Sequence, residues 1–182
     1  KLAELTGYEH RQYKPEVVAD IPVRSGIDDI DRRHLYLRVR SGSDVPIDIL
    51  RPRNAAGPLP VMICLQGTNS GAHLSWGEAR MPADPEKIVS GADYGRQAVH
   101  NGFVAVCVEQ AAFGERREVA LRRRSLDPCI DAANHALLLG RTLLGERASD
   151  ISSVIDWLSM NADELSIDIS RLSAMGSSSG GA

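Results

Sequence analysis

Two hydrophobic patterns divide the first part of the chain into strands. Hydrophobic and polar residues alternate over residues 33–40 and again over residues 45–52, which predicts two half-buried antiparallel strands joined by a turn at residues 41–44. Residues 61–65 (VMICL) and 103–108 (FVAVCV) are instead continuously apolar, as expected of parallel strands that helices cover on both faces. The pattern therefore predicts a hairpin followed by central parallel strands.

Three stretches space their apolar residues as a helix does. They cover residues 84–101, with Gly102 just past the end, residues 131–144 and residues 149–160. Short strands that alternate with helices predict an α/β sheet with right-handed crossovers. Residues 1–30 mix tyrosine, proline and charge without a sustained period, and we expect an irregular arm or short helices there.

The composition is that of a globular domain or of part of a larger one: 182 residues, 43% hydrophobic and 25% charged, with a net charge of −3. We expect neither a nucleic acid nor a membrane as partner, because the charge is slightly negative and no apolar stretch reaches the about 18 residues of a membrane span. The three cysteines, Cys64, Cys107 and Cys129, lack CxxC spacing and lie in apolar segments. They predict buried thiols and favour a reducing compartment such as the cytoplasm.

The chain ends on AMGSSSGGA, which is typical either of a flexible linker or of a catalytic turn. Residues 169–176 (ISRLSAMG) are a strand candidate that runs directly into a G-x-S-x-G match with Ser178 at its centre. That motif requires a sharp strand-to-helix turn whose neighbours are nearly free of side chains. A linker has no reason to follow such a strand, so we interpret Ser178, rather than Ser177 or Ser179, as a candidate nucleophile.

The chain resembles the α/β-hydrolase superfamily, and more narrowly its dienelactone-hydrolase-like and acetyl-xylan-esterase-like serine esterases. Besides the Ser178 motif, the likeness rests on three segments and extends from about residue 45 to the end. The segments are LLLGRTLLGERASDISSVIDWL (137–158, with Gly140, Gly145, Arg147 and Asp150 at matching places), ADELSIDISRLSAMGSSSGG (162–181, with Asp168 and Arg171 in position) and EQAAFGER (109–116), which is similar to the loop after their fourth strand.

The resemblance implies an α/β-hydrolase fold, with a mostly parallel central sheet, helices on both faces and an antiparallel hairpin near the N-terminus. We assign residues 1–32 to an N-terminal arm and residues 33–182 to the N-terminal portion of an α/β-hydrolase domain. The C-terminal part of the fold is expected outside this chain.

Acyl transfer to a serine also needs two N–H donors for the developing oxyanion. One is expected from the backbone of Ser179, directly after the nucleophile and at a helix N-terminus. The resemblance places the other in the loop after the VMICL strand, residues 66–71, at Thr68. Gln66 stands where many members of the family carry His before the glycine. The alternative interpretation of this loop is an ordinary glycine-rich turn.

Hydrolases of this fold carry their catalytic triad in the order Ser, then Asp or Glu, then His. All five histidines precede Ser178; His73 and His135 could lie near the site, but a surface or capping role is expected for each. We therefore expect the acid and the histidine after residue 182, and no activity from this chain alone. The strand before Ser178 is expected to be covered by the remainder of its own polypeptide or by another chain.

The sequence thus predicts a serine esterase that cleaves a small-molecule carboxylic ester through an acyl-Ser178 intermediate, without a metal or organic cofactor. The alternative is a non-catalytic module of the same fold that binds a ligand or a partner. The arginines of ERREVALRRRS (115–125) could clamp an acidic substrate, but we expect them to be solvated. Trp76 and Trp157 could be binding platforms, and Trp157 is predicted to be packing.

Overall fold

The computed structural model describes residues 1–8, 13–23, 29–40, 42–117 and 128–182. Within these residues, six strands form one mixed sheet with the order β1-β2-β3-β5-β4-β6. The strands are β1 (Glu16–Ile21), β2 (Ile30–Arg40), β3 (Ser43–Pro52), β4 (Leu59–Leu65), β5 (Val104–Val108) and β6 (Ile167–Gly176).

The described helices are α1 (Leu2–Thr6), α2 (Asp84–Lys87), α3 (Tyr94–His100), α4 (Pro128–Leu138) and α5 (Leu143–Met160). A π-helical turn, Ile88–Ala92, joins α2 to α3, and short 3-10 turns cover Ala72–Trp76, Gly114–Arg116 and Ser178–Gly180. Over the described ranges, no helix combines the length and the apolar character needed to cross a lipid bilayer.

Strand pairing confirms the predicted hairpin and the predicted parallel arrangement of β4, β5 and β6. β2 pairs with β3 in antiparallel orientation, whereas β4 pairs in parallel with both β5 and β6. Of the predicted turn, Ser43 and Asp44 belong to β3, and Ser41 lies outside the described residues. Because three neighbouring strands are parallel, their carboxyl ends at Leu65, Val108 and Gly176 meet at one edge of the sheet.

Helices cover both faces of the sheet, as expected from its continuously apolar strands. On one face, α5 contributes Val154, Trp157 and Leu158 to a core that includes the inward side chains of β2 to β5. On the other face, α3 and the turn Ala72–Trp76 pack over a second core. Burial of each large apolar side chain stabilises the fold by about 2 kcal/mol. The prediction that Trp157 is a packing residue is confirmed.

The cysteines are free thiols. Cys64 on β4 lies opposite Cys107 on β5, and both are fully buried between the sheet and α3. The predicted burial is confirmed for these two, whereas Cys129 on α4 is only partly buried.

The helix predicted over residues 84–101 is interrupted, so that prediction is wrong for its middle. Gly91 has φ 91°, a left-handed conformation that breaks the helical hydrogen bonding between α2 and α3. Residues 94–100 re-form a regular helix, whose end at Asn101 and Gly102 agrees with the sequence.

The helices predicted over residues 131–144 and 149–160 have a different boundary in the structure. α4 ends at Leu138 because Gly140 adopts φ 70°, and α5 begins at Leu143. The hydroxyl of Thr142 accepts a hydrogen bond of 3.0 Å from the N–H of Gly145, which caps the N-terminus of α5.

The irregular arm expected over the first thirty residues contains a strand. β1 pairs with β2 at the edge of the sheet, opposite to β6, so the expectation of an irregular segment is wrong there. Its apolar residues Val17, Val18 and Ile21 remain 39%, 37% and 43% exposed. An edge strand of this kind does not show the alternation of a half-buried strand, whereas the short helix α1 agrees with the expectation.

Candidate active site

A sharp turn at the carboxyl end of β6 carries Ser178. Ser177 is still extended (φ −110°, ψ 133°), and Ser178 has φ 51°, a left-handed conformation that costs a non-glycine residue about 1–3 kcal/mol. A 3-10 turn then begins at Ser178, and the N–H of Gly180 bonds the carbonyl of Ser177 at 2.8 Å. Ser178 is exposed.

The two glycines of the G-x-S-x-G match are required by close backbone contacts. A Cβ on Gly176 would overlap with the carbonyl oxygen of Gly180, and one on Gly180 would overlap with the carbonyl oxygen of Leu65 at the end of β4. The N–H of Ser177 also bonds this Leu65 oxygen, at 3.2 Å. The turn is therefore packed tightly against the end of the neighbouring strand, which is not expected of a flexible linker.

The 66–71 loop follows β4 and lies against this turn. A Cβ on Gly67 would sit 2.8 Å from the carbonyl oxygen of Ser177 and 3.2 Å from the Cβ of Ser178. The hydroxyl of Thr68 donates to the hydroxyl of Ser179 at 3.3 Å. The structure thus brings together the three residues singled out by the sequence, Ser178, Ser179 and Thr68. The role of the last two as oxyanion donors stays a prediction.

A cleft of about 330 Å³ opens beside Ser178. The 66–71 loop, the turn between α2 and α3, and the end of β6 form its walls, and Lys87 is the single charged residue among the described residues that line it. The lining residues are Gly67, Thr68, Asn69, Lys87, Ser90, Gly91, Ala92, Tyr94, Met175, Ser177 and Ser178. The volume is in the range of small-molecule sites.

His73 is buried in a polar cluster, so the expected surface role is wrong. Its Nε2 lies 2.9 Å from Oδ2 of Asp84 and 3.1 Å from the hydroxyl of Ser70, and this hydroxyl donates to Oδ1 of Asp84 at 2.6 Å. A catalytic triad needs its acid and its serine on different nitrogens of the imidazole, whereas here both approach the same one. This cluster therefore fixes the loop and the start of α2 rather than activating Ser70.

Burial disfavours the carboxylate of Asp84, but hydrogen bonds outweigh burial and lower its pKa well below the usual range. The donors are Ser70, His73 and the backbone N–H groups of Arg80 and Met81. The second histidine considered from the sequence, His135, is exposed on α4, as expected.

A second buried carboxylate, that of Glu109, was not found from the sequence. Glu109 follows β5 directly, is 5% exposed, and accepts hydrogen bonds from the side chain of Gln66 and the N–H of Ala72. Burial raises its pKa to about 7, although the bond from Ala72 lowers it. The sequence could have indicated Glu109 through its position directly after β5, because the carboxyl ends of parallel strands lie at the same edge of a sheet and ligand sites form there.

Within the described part of the chain, no three His, Cys, Asp or Glu side chains are grouped so that they could hold a metal ion.

Comparison with solved structures gives matches to esterases and related hydrolases. A provisionally assigned acetyl xylan esterase from Bacteroides fragilis superposes with a TM-score of 0.72 at 18% identity, over 95% of this chain and 44% of that one. Acetyl xylan esterase 1 from Thermoanaerobacterium superposes with a TM-score of 0.56 at 17% identity, over 92% of this chain and 46% of that one. A provisionally assigned dienelactone hydrolase from Klebsiella pneumoniae superposes with a TM-score of 0.51 at 20% identity, over 84% of this chain and 51% of that one. The chain has an α/β-hydrolase fold.

This α/β-hydrolase fold confirms the fold expected from the sequence. The chain spans about half the length of these solved relatives. Neither the models of known protein families nor the curated proteins give a match.

Two residues that suggested the α/β-hydrolase resemblance, Arg147 and Asp150 on α5, hold the loop after β5. The guanidinium of Arg147 donates to the carbonyl of Ala111 at 2.8 and 3.2 Å. The carboxylate of Asp150 forms ion pairs with Arg40 at 3.1 Å and with Arg116 at 2.8 Å. The expectation of a solvated basic run is therefore wrong for Arg116, whose side chain is 12% exposed, and residues 118–127 lie outside the described residues.

The other pair that suggested the resemblance, Asp168 and Arg171, lies at the start of β6. Nε of Arg171 donates to Oδ2 of Asp168 at 2.6 Å, and Nη2 of Arg171 reaches the carbonyl of Pro58 at 3.4 Å, just before β4. The pair lies at the opposite end of β6 from Ser178, so it has a structural role in joining β6 to β4.

Proposed function

We propose that this chain carries the nucleophile and the oxyanion loop of a serine esterase, which cleaves a carboxylic ester through an acyl-Ser178 intermediate. The observation that carries the proposal is the conformation of Ser178. A serine with φ 51° at the carboxyl end of the parallel strand β6, between two glycines that backbone contacts require, has the geometry of a nucleophile turn. Strained residues of this kind concentrate at functional sites.

In the proposed reaction, Oγ of Ser178 attacks the ester carbonyl carbon while a general base takes the hydroxyl proton. The carbonyl oxygen becomes an oxyanion, which accepts hydrogen bonds from the backbone N–H groups of Ser179 and Thr68. Collapse of this intermediate breaks the ester C–O bond, and the alcohol leaves with the proton held by the base. Water then releases the acid from Ser178 by the same steps.

The general base and its orienting acid are proposed to follow residue 182. His73 is held by Asp84 and Ser70, which supports a histidine from elsewhere as the base. On this proposal the 182-residue chain by itself gives no measurable turnover, because an unassisted serine hydroxyl is a poor nucleophile at neutral pH.

The proposed substrate is a small-molecule ester. The cleft of about 330 Å³ beside Ser178 supports a compact acyl group, and solved relatives named for acetyl xylan and dienelactone agree with a short acyl chain or a lactone.

Hydrolysis of a short-chain aryl ester by the complete polypeptide tests the proposal. Ser178→Ala should abolish turnover, since loss of a serine nucleophile removes about 10⁶-fold in rate. Ser177→Ala and Ser179→Ala are matched controls that should keep part of the activity, because Ser179 acts through its backbone N–H. Equal activity of Ser178→Ala and the parent would exclude Ser178 as nucleophile, and inactivity of the parent would favour a non-catalytic module of this fold.

A further inference from the structure

The carboxylate of Glu109 joins the two ends of the 66–71 loop. Its Oε1 accepts from the side-chain amide of Gln66 at 2.7 Å, and the N–H of Ala72 donates to Oε1 at 3.1 Å and to Oε2 at 3.2 Å. Gln66 is the first residue of the loop, and Ala72 directly follows its last. One buried side chain therefore closes the base of the loop, and the proposed acyl transfer gives this side chain no role.

Two glycines, Gly71 and Gly114, leave room for the Glu109 carboxylate because they have no side chain. A Cβ on Gly114 would overlap with Oε2 of Glu109, and a Cβ on Gly71 would lie 3.0 Å from the same oxygen. A larger residue at position 114 would displace the carboxylate, and one at position 71 would press against it. The Glu109 carboxylate thus sits in a closed socket formed by Gln66, Gly71, Ala72 and Gly114.

The socket is connected to the turn at Ser178 through Gln66 and the residue that follows it, Gly67. The carbonyl of Gln66 accepts from Nε2 of Gln110 at 2.5 Å, and the next residue, Gly67, touches Ser177 and Ser178. A shift of Gln66 therefore moves Gly67 against the nucleophile, and it moves Thr68 relative to the proposed oxyanion.

We propose that Glu109 is a positioning residue whose carboxylate clamps both ends of the 66–71 loop and thereby holds Thr68 in place beside Ser178. The catalytic part of this inference rests on the proposed function. What the clamp requires is the length of the side chain rather than its charge. Within the described residues, Oε1 of Gln66 is buried without a hydrogen-bond partner. After rotation of the Gln66 amide, a glutamine at position 109 can donate to that oxygen while its own oxygen accepts from Ala72.

Two variants of the complete polypeptide separate length from charge. Glu109→Asp keeps the charge but withdraws the carboxylate by one methylene, so it cannot reach Gln66 and Ala72 together. We expect its kcat for the aryl ester to fall about 10²-fold with little change in KM, the effect of misplacing an oxyanion donor. Glu109→Gln should stay within about tenfold of the parent, because glutamine keeps the length of the side chain and can still hydrogen-bond both Gln66 and Ala72.

Hydrogen exchange of the backbone amides of residues 66–76 gives a readout that is independent of activity. We expect exchange at least about tenfold faster in Glu109→Asp than in the parent, and near-parental exchange in Glu109→Gln. Asp48→Glu and Asp48→Asn are matched controls: Asp48 is as buried as Glu109 (3% and 5% exposed), but it pairs with Arg32 and His34. Both controls should leave kcat and the exchange of residues 66–72 unchanged.

The outcomes distinguish this proposal from the proposed function. Parental kcat in Glu109→Asp, or an equal loss of kcat in Glu109→Asp and Glu109→Gln, would overturn the positioning role. If the parent does not hydrolyse the ester and Ser178 does not react, the proposed function fails. In that case faster exchange in Glu109→Asp would still support the clamp, and unchanged exchange would overturn it.

Discussion

Gly67 lies in direct contact with Ser177, since a methyl group on its α-carbon would sit 2.8 Å from the Ser177 carbonyl oxygen. The same methyl group would lie 3.2 Å from the Cβ of Ser178. The 66–71 loop and the turn that carries the candidate nucleophile therefore fix each other's position, and neither can carry an additional side-chain atom without moving.

Gly67→Ala should impair the site without unfolding the protein. The new methyl group meets backbone atoms, which must shift, and a displacement of about 1 Å at an active site can cost about 10²-fold in rate. We expect a loss of this order in kcat for the aryl ester. The control is Gly102→Ala, just before β5 at the end of that strand away from Ser178. A Cβ on Gly102 would meet no atom within 4 Å, but the residue has φ 83°. This variant should lose about 1 kcal/mol of stability from backbone strain and keep its kcat. Equal kcat values for the two variants would contradict the contact.

Glu109 should make the protein less stable as the pH rises. Burial raises the pKa of Glu109 from the usual 4.5 to about 7. The negative charge of nearby Glu115 also raises this pKa, whereas the hydrogen bond from Ala72 and the positive charge of Arg116 lower it. Between these two pH values the folded state keeps a proton on Glu109 that the unfolded chain has lost. The contribution of Glu109 to the unfolding free energy is therefore complete below about pH 4.5 and is lost as the pH rises through about 7. The contribution is about 3 kcal/mol.

Chemical denaturation of the parent and Glu109→Gln between pH 4.5 and 8 measures this effect. Glutamine does not titrate, so the difference in unfolding free energy between the two proteins should change with pH in favour of the variant. A difference that stays constant over this range would show that Glu109 has an ordinary pKa.

Asp150 should be far more important for stability than an exposed acid in a similar ion pair. Asp150 is 2% exposed and lies between Arg40 and Arg116. Asp150→Asn removes the carboxylate that pairs with Arg116 and leaves Arg40 with the more distant Glu146, at 4.0 Å. We expect a loss of about 3 kcal/mol in unfolding free energy. Asp44→Asn, which removes the exposed partner of Arg38, is the control and should change the unfolding free energy only marginally. Similar losses in both variants would refute this difference.

The sequence predicted those features that local patterns determine. Alternation over residues 33–40 and 45–52 predicted the hairpin, and continuous apolar runs predicted the parallel strands β4 and β5. The turn at Ser178 was predictable because a strand candidate preceded a G-x-S-x-G match, and glycine at both flanking positions has a steric reason.

Features that depend on contacts between distant segments were missed. Glu109 meets Gln66 across 43 residues of sequence, and no spacing rule links a residue after β5 with one after β4. A surface or capping role was expected for His73, because its burial depends on Asp84, which reaches it only after the chain folds back. The strand β1 was missed because its apolar residues stay partly exposed at an edge, so they show no alternation.

The most direct test of the central claim is to identify which serine of the run Ser177–Ser179 reacts with a fluorophosphonate. The complete polypeptide is labelled and digested, and tandem mass spectrometry locates the phosphonyl group. The account predicts the label on Ser178, the residue with φ 51° at the turn, and its loss in Ser178→Ala but not in Ser177→Ala. A label on Ser177 or Ser179, or labelling that persists in Ser178→Ala, would contradict the account.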